Sequence, residues 1–336
     1  MAVVVAACGP AYRAPCRVSD AEVVASAAGG TAWRLAPRFV GGFEATQAES
    51  RGDGGLMLRR VSFDEAISIV QSTAVPAPPG LSPADGPLVL PGELGGVAVL
   101  SRTDGGFTAR LVLADGGPGG LPVTFDGVPL QAEPHRTGLW VLAQAPDGGA
   151  LLALDGELRP VARRALAPVA GLLQRARLLP LDGAHLGVQG SQSLELVDAS
   201  LALVDSWPLP QDATNLSALS GAATSPTAAW IGPESSLLVS PLGTPRPERL
   251  TSATGIAGFL SAPGITAVVA QETEARFGGP FLALADGAGR KRGPDLALTG
   301  SSEGLFVGAA VAIADGGFVV LGAGSRNLTR IRIACE

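Results

Sequence analysis

The chain has two histidines, and each stands close to a carboxylate: Glu133 with His135, and Asp182 with His185. An imidazole beside a carboxylate can move protons near neutral pH or hold a metal through its neutral nitrogen. Two such pairs brought together would form a mixed nitrogen and oxygen donor set. Each pair precedes a short apolar run, so both are expected in turns that lead into strands. The alternative is two exposed loop histidines that never approach one another, because position in a loop does not fix geometry.

Other patterns that could carry chemistry are weaker. Gly300-Ser301-Ser302-Glu303-Gly304 matches the letters of a nucleophile elbow. That device needs a strand before it, a helix after it and a later histidine. No histidine follows Ser302, so a plain loop is expected. The only lysine, Lys291, lies between Arg290 and Arg292, which excludes a phosphate loop ending in Gly-Lys. Three scattered cysteines and two histidines do not make a zinc spacing. The alternating Asp/Asn pattern of a calcium loop is also missing. No catalytic, metal or cofactor residue is assigned, and no cofactor is expected; Glu133, His135, Asp182 and His185 stand as a polar cluster to be located in the fold.

The elements that must position these residues are marked by a recurring turn. Asp53-Gly54-Gly55, Asp104-Gly105-Gly106, Asp147-Gly148-Gly149 and Asp315-Gly316-Gly317 each sit between two apolar runs. Asp-Gly suits a hairpin because Gly adopts positive φ freely and Asp tolerates it. Their starts lie 51, 43 and 168 residues apart, and 168 is four steps of 42. Degenerate versions fill the long gap at Ser191-Gln192-Ser193, Pro233-Glu234-Ser235 and Arg276-Phe277-Gly278-Gly279. A period in the forties with several short strands per unit is the signature of a β-propeller. The expected fold is all-β, with seven four-stranded blades; six or eight remain open if the ends are misjudged.

The stretch Ala314 to Val320, and more loosely Thr103 to Phe107, resembles the repeat units of secreted bacterial β-propeller proteins. The resemblance runs from about Thr31 to Cys335. It implies the fold and carries over no catalytic residue. One propeller domain is expected over 16–336, after a signal remnant or tether at 1–15. A loop insertion at about 71–91 accounts for the long first interval. Asp20–Ala28 and Phe63–Val70 read as short helices or as strands of blade 1, and Asn327–Ala334 reads as the last outer strand.

Three cysteines bear on compartment. Val5-Ala6-Ala7-Cys8 resembles the end of a bacterial lipoprotein signal, with an aliphatic residue and two small ones before the cysteine. That resemblance implies lipidation at Cys8, export, and contact with membrane only through the anchor. The apolar run is shorter than a signal core of ~7–15 residues with its basic flank, so a buried strand with an ordinary cysteine is the alternative. Cys16 and Cys335 flank the repeats. In a propeller the junction of last blade to first is the one without a peptide link, and a Cys16–Cys335 disulfide would fasten it in an oxidising compartment. Cys8–Cys16 pairing and three free thiols remain open.

Composition narrows the partners. Apolar residues make up 46% of the chain but aromatics only 4%, so small and aliphatic side chains must fill the core. A net charge of −6 with no basic patch argues against nucleic acid. Arg159, Arg163, Arg164, Arg175 and Arg177 read as solvent-facing. Trp207, before a proline, reads as core or as a stacking surface for a sugar. The function expected is non-catalytic: a monomeric binding or scaffolding protein of the bacterial envelope, presenting a loop face to a protein or glycan. The alternative is a propeller hydrolase or lyase acting on sugars or lactones at the channel mouth.

Overall fold

Short Val-, Leu- and Ala-rich runs punctuated by Gly, Asp and Pro favour strands over helices. The computed structural model has 28 strands among its described residues. Those residues are 16–335 without 28, 39–40, 54, 82–85, 93–94, 146–147, 167–176, 191, 211–212, 214–215, 245–246, 273–278, 288, 299–305 and 315. Cys8, Asp147, Asp315 and the segment Gly300–Gly304 lie outside them.

The strands form seven antiparallel sheets of four. The chain opens with β1 (Cys16–Ser26). Blade 1 follows as β2 (Arg34–Pro37), β3 (Phe43–Ser50), β4 (Leu56–Phe63) and β5 (Ile69–Pro76). Blade 2 is β6 (Leu88–Pro91), β7 (Val97–Thr103), β8 (Gly106–Val112) and β9 (Val123–Asp126). Blade 3 is β10 (Val128–His135), β11 (Gly138–Ala145), β12 (Gly148–Asp155) and β13 (Pro160–Leu166). Blade 4 is β14 (Arg177–Pro180), β15 (His185–Gln189), β16 (Ser193–Asp198) and β17 (Leu203–Pro208). Blade 5 is β18 (Leu216–Ala222), β19 (Ser225–Ile231), β20 (Ser236–Pro241) and β21 (Glu248–Ser252). Blade 6 is β22 (Gly255–Ala262), β23 (Ile265–Gln271), β24 (Pro280–Asp286) and β25 (Leu296–Ala297). Blade 7 is β26 (Gly308–Ala314), β27 (Gly317–Ala323), β28 (Asn327–Cys335) and, as its outer strand, β1.

Seven blades of four strands match the sequence reading, and three details correct it. Asn327–Ala334 is the third strand of its blade, because β1 pairs with β28 outside it, from Cys16↔Cys335 to Ser26↔Asn327. Asp20–Ala28 is thus neither a helix nor part of blade 1. The loop expected at 71–91 is narrower, since Gln71–Pro76 continue β5 and Leu88 already begins β6. Finally, the 53, 104 and 233 turns lie between second and third strands (Ser191 and residues 276–278 lie outside the described residues), whereas the strands on either side of position 315, β26 and β27, are the first and second of their blade. The regular spacing to Asp315 therefore does not reflect an equivalent position.

Each junction between blades is filled by its own apolar cluster. Ala48, Leu56, Leu58 and Val75 of blade 1 meet Val89, Val97, Val99 and Val112 of blade 2. Between blades 7 and 1 Trp33, Phe63 and Ile67 meet Val319, Leu321 and Leu328. The chain itself crosses this junction from β1 to β2, so the ring closes inside blade 7, where Cys16–Cys335 joins β1 to β28, and not between the last blade and the first as the sequence implied. The second glycine of the Asp-Gly-Gly turn has a steric cause: a Cβ on Gly106 would collide with the Phe125 carbonyl, and one on Gly317 with the Ile333 carbonyl.

Four blades share a further turn after the third strand. Asp64, Asp155, Asp198 and Asp286 each donate their N–H to the carbonyl four residues on, at 2.9–3.1 Å, and accept at their carbonyl from the N–H three residues on. Their Oδ1 atoms accept from Ser68, Arg159, Ala202 and Arg290 N–H groups. Ile67, Leu158 and Leu201, the fourth residues of three of these turns, take φ of +57°, +64° and +63°. A left-handed L-residue costs ~1–2 kcal/mol. Burial of the same side chain against the neighbouring blade returns ~1.5–3 kcal/mol, and the Asp bonds add to it. All three are buried, so the strain is held.

Candidate functional site

Strands of a sheet alternate in direction, so first-to-second and third-to-fourth turns of every blade open on one face. That face carries the four Asp-locked turns and the joined ends of β1 and β28, where Cys16 and Cys335 form a disulfide. It also carries both histidine turns. The two histidines share this face, but Glu133 does not accompany His135 there, since it lines a different cavity, and the four residues do not form one cluster.

His135 ends β10, the inner strand of blade 3, and is buried. Its ring lies 4.7 Å from the Trp140 ring, centroid to centroid. Its Nδ1 accepts from the Thr137 N–H at 3.3 Å, which leaves the proton of the neutral ring on Nε2. Burial pushes the imidazole pKa below its usual value, and the backbone of Leu154 and Leu139 opposes that shift, although the buried Nε2 makes no well-formed hydrogen bond among the described residues. His185 opens β15, half-buried, with Nδ1 3.0 Å from Asp182 Oδ2. Asp182 Oδ1 also accepts from the Ala184 and His185 N–H groups, both at 2.7 Å, so this pair closes on itself. The two turns touch through backbone, the Arg136 N–H donating to the Gly183 carbonyl at 2.7 Å. Among the described residues no three His, Cys, Asp or Glu side chains lie together as a metal site would require.

A cavity of about 230 Å³ opens at the channel mouth beside His135, walled by Arg38, Glu44, Arg60, Pro91 and Arg136. Glu44 is buried in β3. Its Oε1 receives Arg60 Nη2 at 2.5 Å and lies 3.5 Å from Arg38 Nε. Arg60 Nη1 donates to the Gly92 and Gly96 carbonyls at 3.1 and 2.6 Å, which ties blade 1 to the first turn of blade 2. Two guanidiniums on one carboxylate leave the mouth net positive, and Arg136 adds an exposed cation at its rim.

Below the mouth a second cavity, also about 230 Å³, lies among the inner strands of blades 1, 2, 3, 6 and 7. Pro91 borders both. Arg34 from β2 and Glu133 from β10 are the charged residues on its wall. Glu133 Oε1 accepts from Gln131 Nε2 at 2.9 Å, and Gln131 is itself held by both backbone groups of Leu178 in blade 4. Burial raises the Glu133 pKa above the usual carboxylate value, against the opposing effects of the Gln131 bond and the Arg34 charge. Arg34 Nη1 is buried with no hydrogen-bond partner among the described residues.

Arg34, Arg38, Glu44 and Arg60 were not singled out in the sequence. Their one signal was charge inside strands, as in Phe43-Glu44-Ala45-Thr46-Gln47 and Arg59-Arg60. Of the arginines read as solvent-facing, Arg164 pairs with Glu195 at 2.5 Å and Arg159 with Glu157 at 2.5 Å. Trp207 packs, half-buried, against the cluster between blades 4 and 5.

No protein-family model and no curated protein sequence matches the chain. Its fold is similar to that of solved propellers. A catalytically inactive virginiamycin B lyase from Staphylococcus aureus, solved with quinupristin, matches with TM-score 0.56 and 10% identity, over 93% of this chain and 98% of the other. The Pan2 WD40 domain of Neurospora crassa matches with TM-score 0.50 and 10% identity, over 90% and 89%. BBS1N, in complex with ARL6DN, matches with TM-score 0.51 and 11% identity, over 95% and 97%. These likenesses concern the fold alone.

Proposed function

We propose that the chain is a non-catalytic binding protein of the bacterial cell envelope, exported and anchored through lipid on Cys8, whose first-turn face docks an acidic protein segment or glycan. The observation that supports this reading most is the net positive mouth built on Arg38, Arg60 and Glu44 and rimmed by Arg136. The surrounding turns are locked by Asp side chains, so little order has to be gained on binding. Solved propellers of similar fold include one in a protein complex, in keeping with a docking role.

The test uses polygalacturonate and neutral dextran as probes in a surface binding assay. Polygalacturonate alone should bind, with affinity falling as salt rises. Arg38→Gln with Arg136→Gln should weaken it about tenfold, the scale of one or two charge-assisted contacts. Equal binding of dextran, or no effect of the double variant, overturns the reading. Intact mass of the membrane fraction checks the anchor: a diacyl or triacyl adduct at Cys8 is expected.

A second reading, a lyase or hydrolase on sugars or lactones, draws on the neutral imidazole of His135 beside the same mouth. It requires a His135→Ala variant to lose turnover of such a substrate while its fold is unchanged.

A further inference from the structure

The inner cavity differs from a filled propeller shaft in one respect. It sets a guanidinium from β2 and a carboxyl from β10 on one cavity wall and does not join them. Arg34 and Glu133 influence each other through charge, yet they form no ion pair, while Glu44 and Arg60 one layer above do. Arg34 Nη1 is buried without a partner among the described residues. Arg34 as a whole is half-buried, but a guanidinium nitrogen buried without an acceptor is costly. The group that would satisfy it must be an acceptor small enough to enter. A volume of about 230 Å³ is below the ~300–1,000 Å³ of pockets for drug-sized ligands.

We infer that the inner cavity is a binding site for a small monocarboxylate, held by Arg34 with Glu133 as its neighbour in the cavity. A planar carboxylate matches the two-pronged donor geometry of a guanidinium. Phosphate, a dianion at about pH 8, fits less well there, because one arginine balances one charge and the second lies in a cavity shared with Glu133. Trp33, Leu90 and Ala309 line the rest of the wall and suit a short apolar tail. Glu133 confers pH dependence. Protonated, it is neutral and can donate a hydrogen bond to the bound carboxylate; ionised, it repels it. Arg34 and Glu133 are the charged residues on the walls that β2, β6, β10, β22 and β26 contribute to this cavity.

The experiment is calorimetric titration of the whole protein with sodium acetate, and separately with inorganic phosphate, at constant ionic strength and at about pH 5 and about pH 8. Saturable acetate binding is expected, tighter at the lower pH, and tighter than phosphate. Arg34→Gln should weaken acetate at least about tenfold, the scale of one charge-assisted contact. Glu133→Gln should keep binding and lose the pH dependence. Should Arg34→Gln fail to fold by circular dichroism, Gly308→Val replaces it. A Cβ there meets only the Ala257 carbonyl at 4.0 Å, and Gly308 lines the cavity, so the added side chain narrows it. No saturable acetate binding, acetate binding unchanged by both variants, or phosphate binding tighter than acetate each overturns the inference.

Discussion

The mouth and the inner cavity share blades 1, 2 and 3 as walls, have the same volume, and treat arginine in opposite ways. At the mouth, Arg60 gives its two terminal nitrogens to Glu44 and to two carbonyls of the next blade, and only its Nε is buried without a partner among the described residues. It is a tie between blades, and its charge is committed. In the inner cavity, Arg34 keeps Nη1 without a partner among the described residues and stands off from Glu133. The contrast lies in the terminal nitrogens: both of Arg60 are tied into the fold, and one of Arg34 faces no protein partner among the described residues.

The disulfide on the face around the mouth should matter most. Replacing Cys16 and Cys335 with Ser should cost as much as about 5 kcal/mol of stability, since the bridge closes almost the whole chain. Chemical denaturation with and without reductant measures it. Acetate binding at Arg34 should be unchanged in the folded protein, which separates holding the ring from binding in it.

The two arginines should differ in the same assay. Arg60→Ala should cost about 3–5 kcal/mol, because it strips the buried Glu44 of its closest partner. Arg60→Met with Glu44→Leu should recover most of that loss. Arg34→Gln should cost under about 1 kcal/mol, having no bond at Nη1 to lose. If Arg34 proves as costly as Arg60, the distinction fails.

A smaller effect is expected at the turns. Asp155→Ala removes two side-chain bonds to backbone N–H groups and should cost about 1–2 kcal/mol. Leu158→Gly relieves the positive φ but loses a buried side chain, so it should also destabilise, by up to about 2 kcal/mol. A stabilised Leu158→Gly would show that strain outweighs burial.

The responses to pH should be slighter still, and they have opposite signs in the two cavities. His135 has a folded pKa below its ordinary 6.5. The folded state therefore holds fewer protons than the unfolded one, and stability falls as pH drops through 6.5 toward the folded value. Glu133 has a folded pKa above its ordinary 4.5. Its contribution is full below 4.5 and is lost as pH rises through the folded value. Unfolding curves across pH should show His135→Gln flattening the acid limb and Glu133→Gln flattening the other.

Much of the scaffold is legible in the order of residues alone. Two of the Asp-Gly-Gly turns are fixed by sterics, because only Gly at 106 and 317 avoids the carbonyl of the adjacent strand. The apolar runs between them are strands because they are short and carry no helical period. Cys16 and Cys335 pair as their places at the two ends of the repeat imply. Strand pairing across the whole chain is not legible: β1 finds β28 some three hundred residues away, and no local pattern states that partner. The same limit hid the site. Glu133 and His135 are two residues apart, yet one lines the inner cavity and the other the mouth. His185 is occupied by its own Asp182. Arg34 and Glu133 line one cavity only because a ring of blades brings β2 and β10 to one axis. Local sterics and hydrophobic pattern thus determined the strands, the turns and the number of blades, since these depend on neighbours in the chain. Ring closure settled which charges became satisfied and which did not, since that depends on residues the chain separates by many blades.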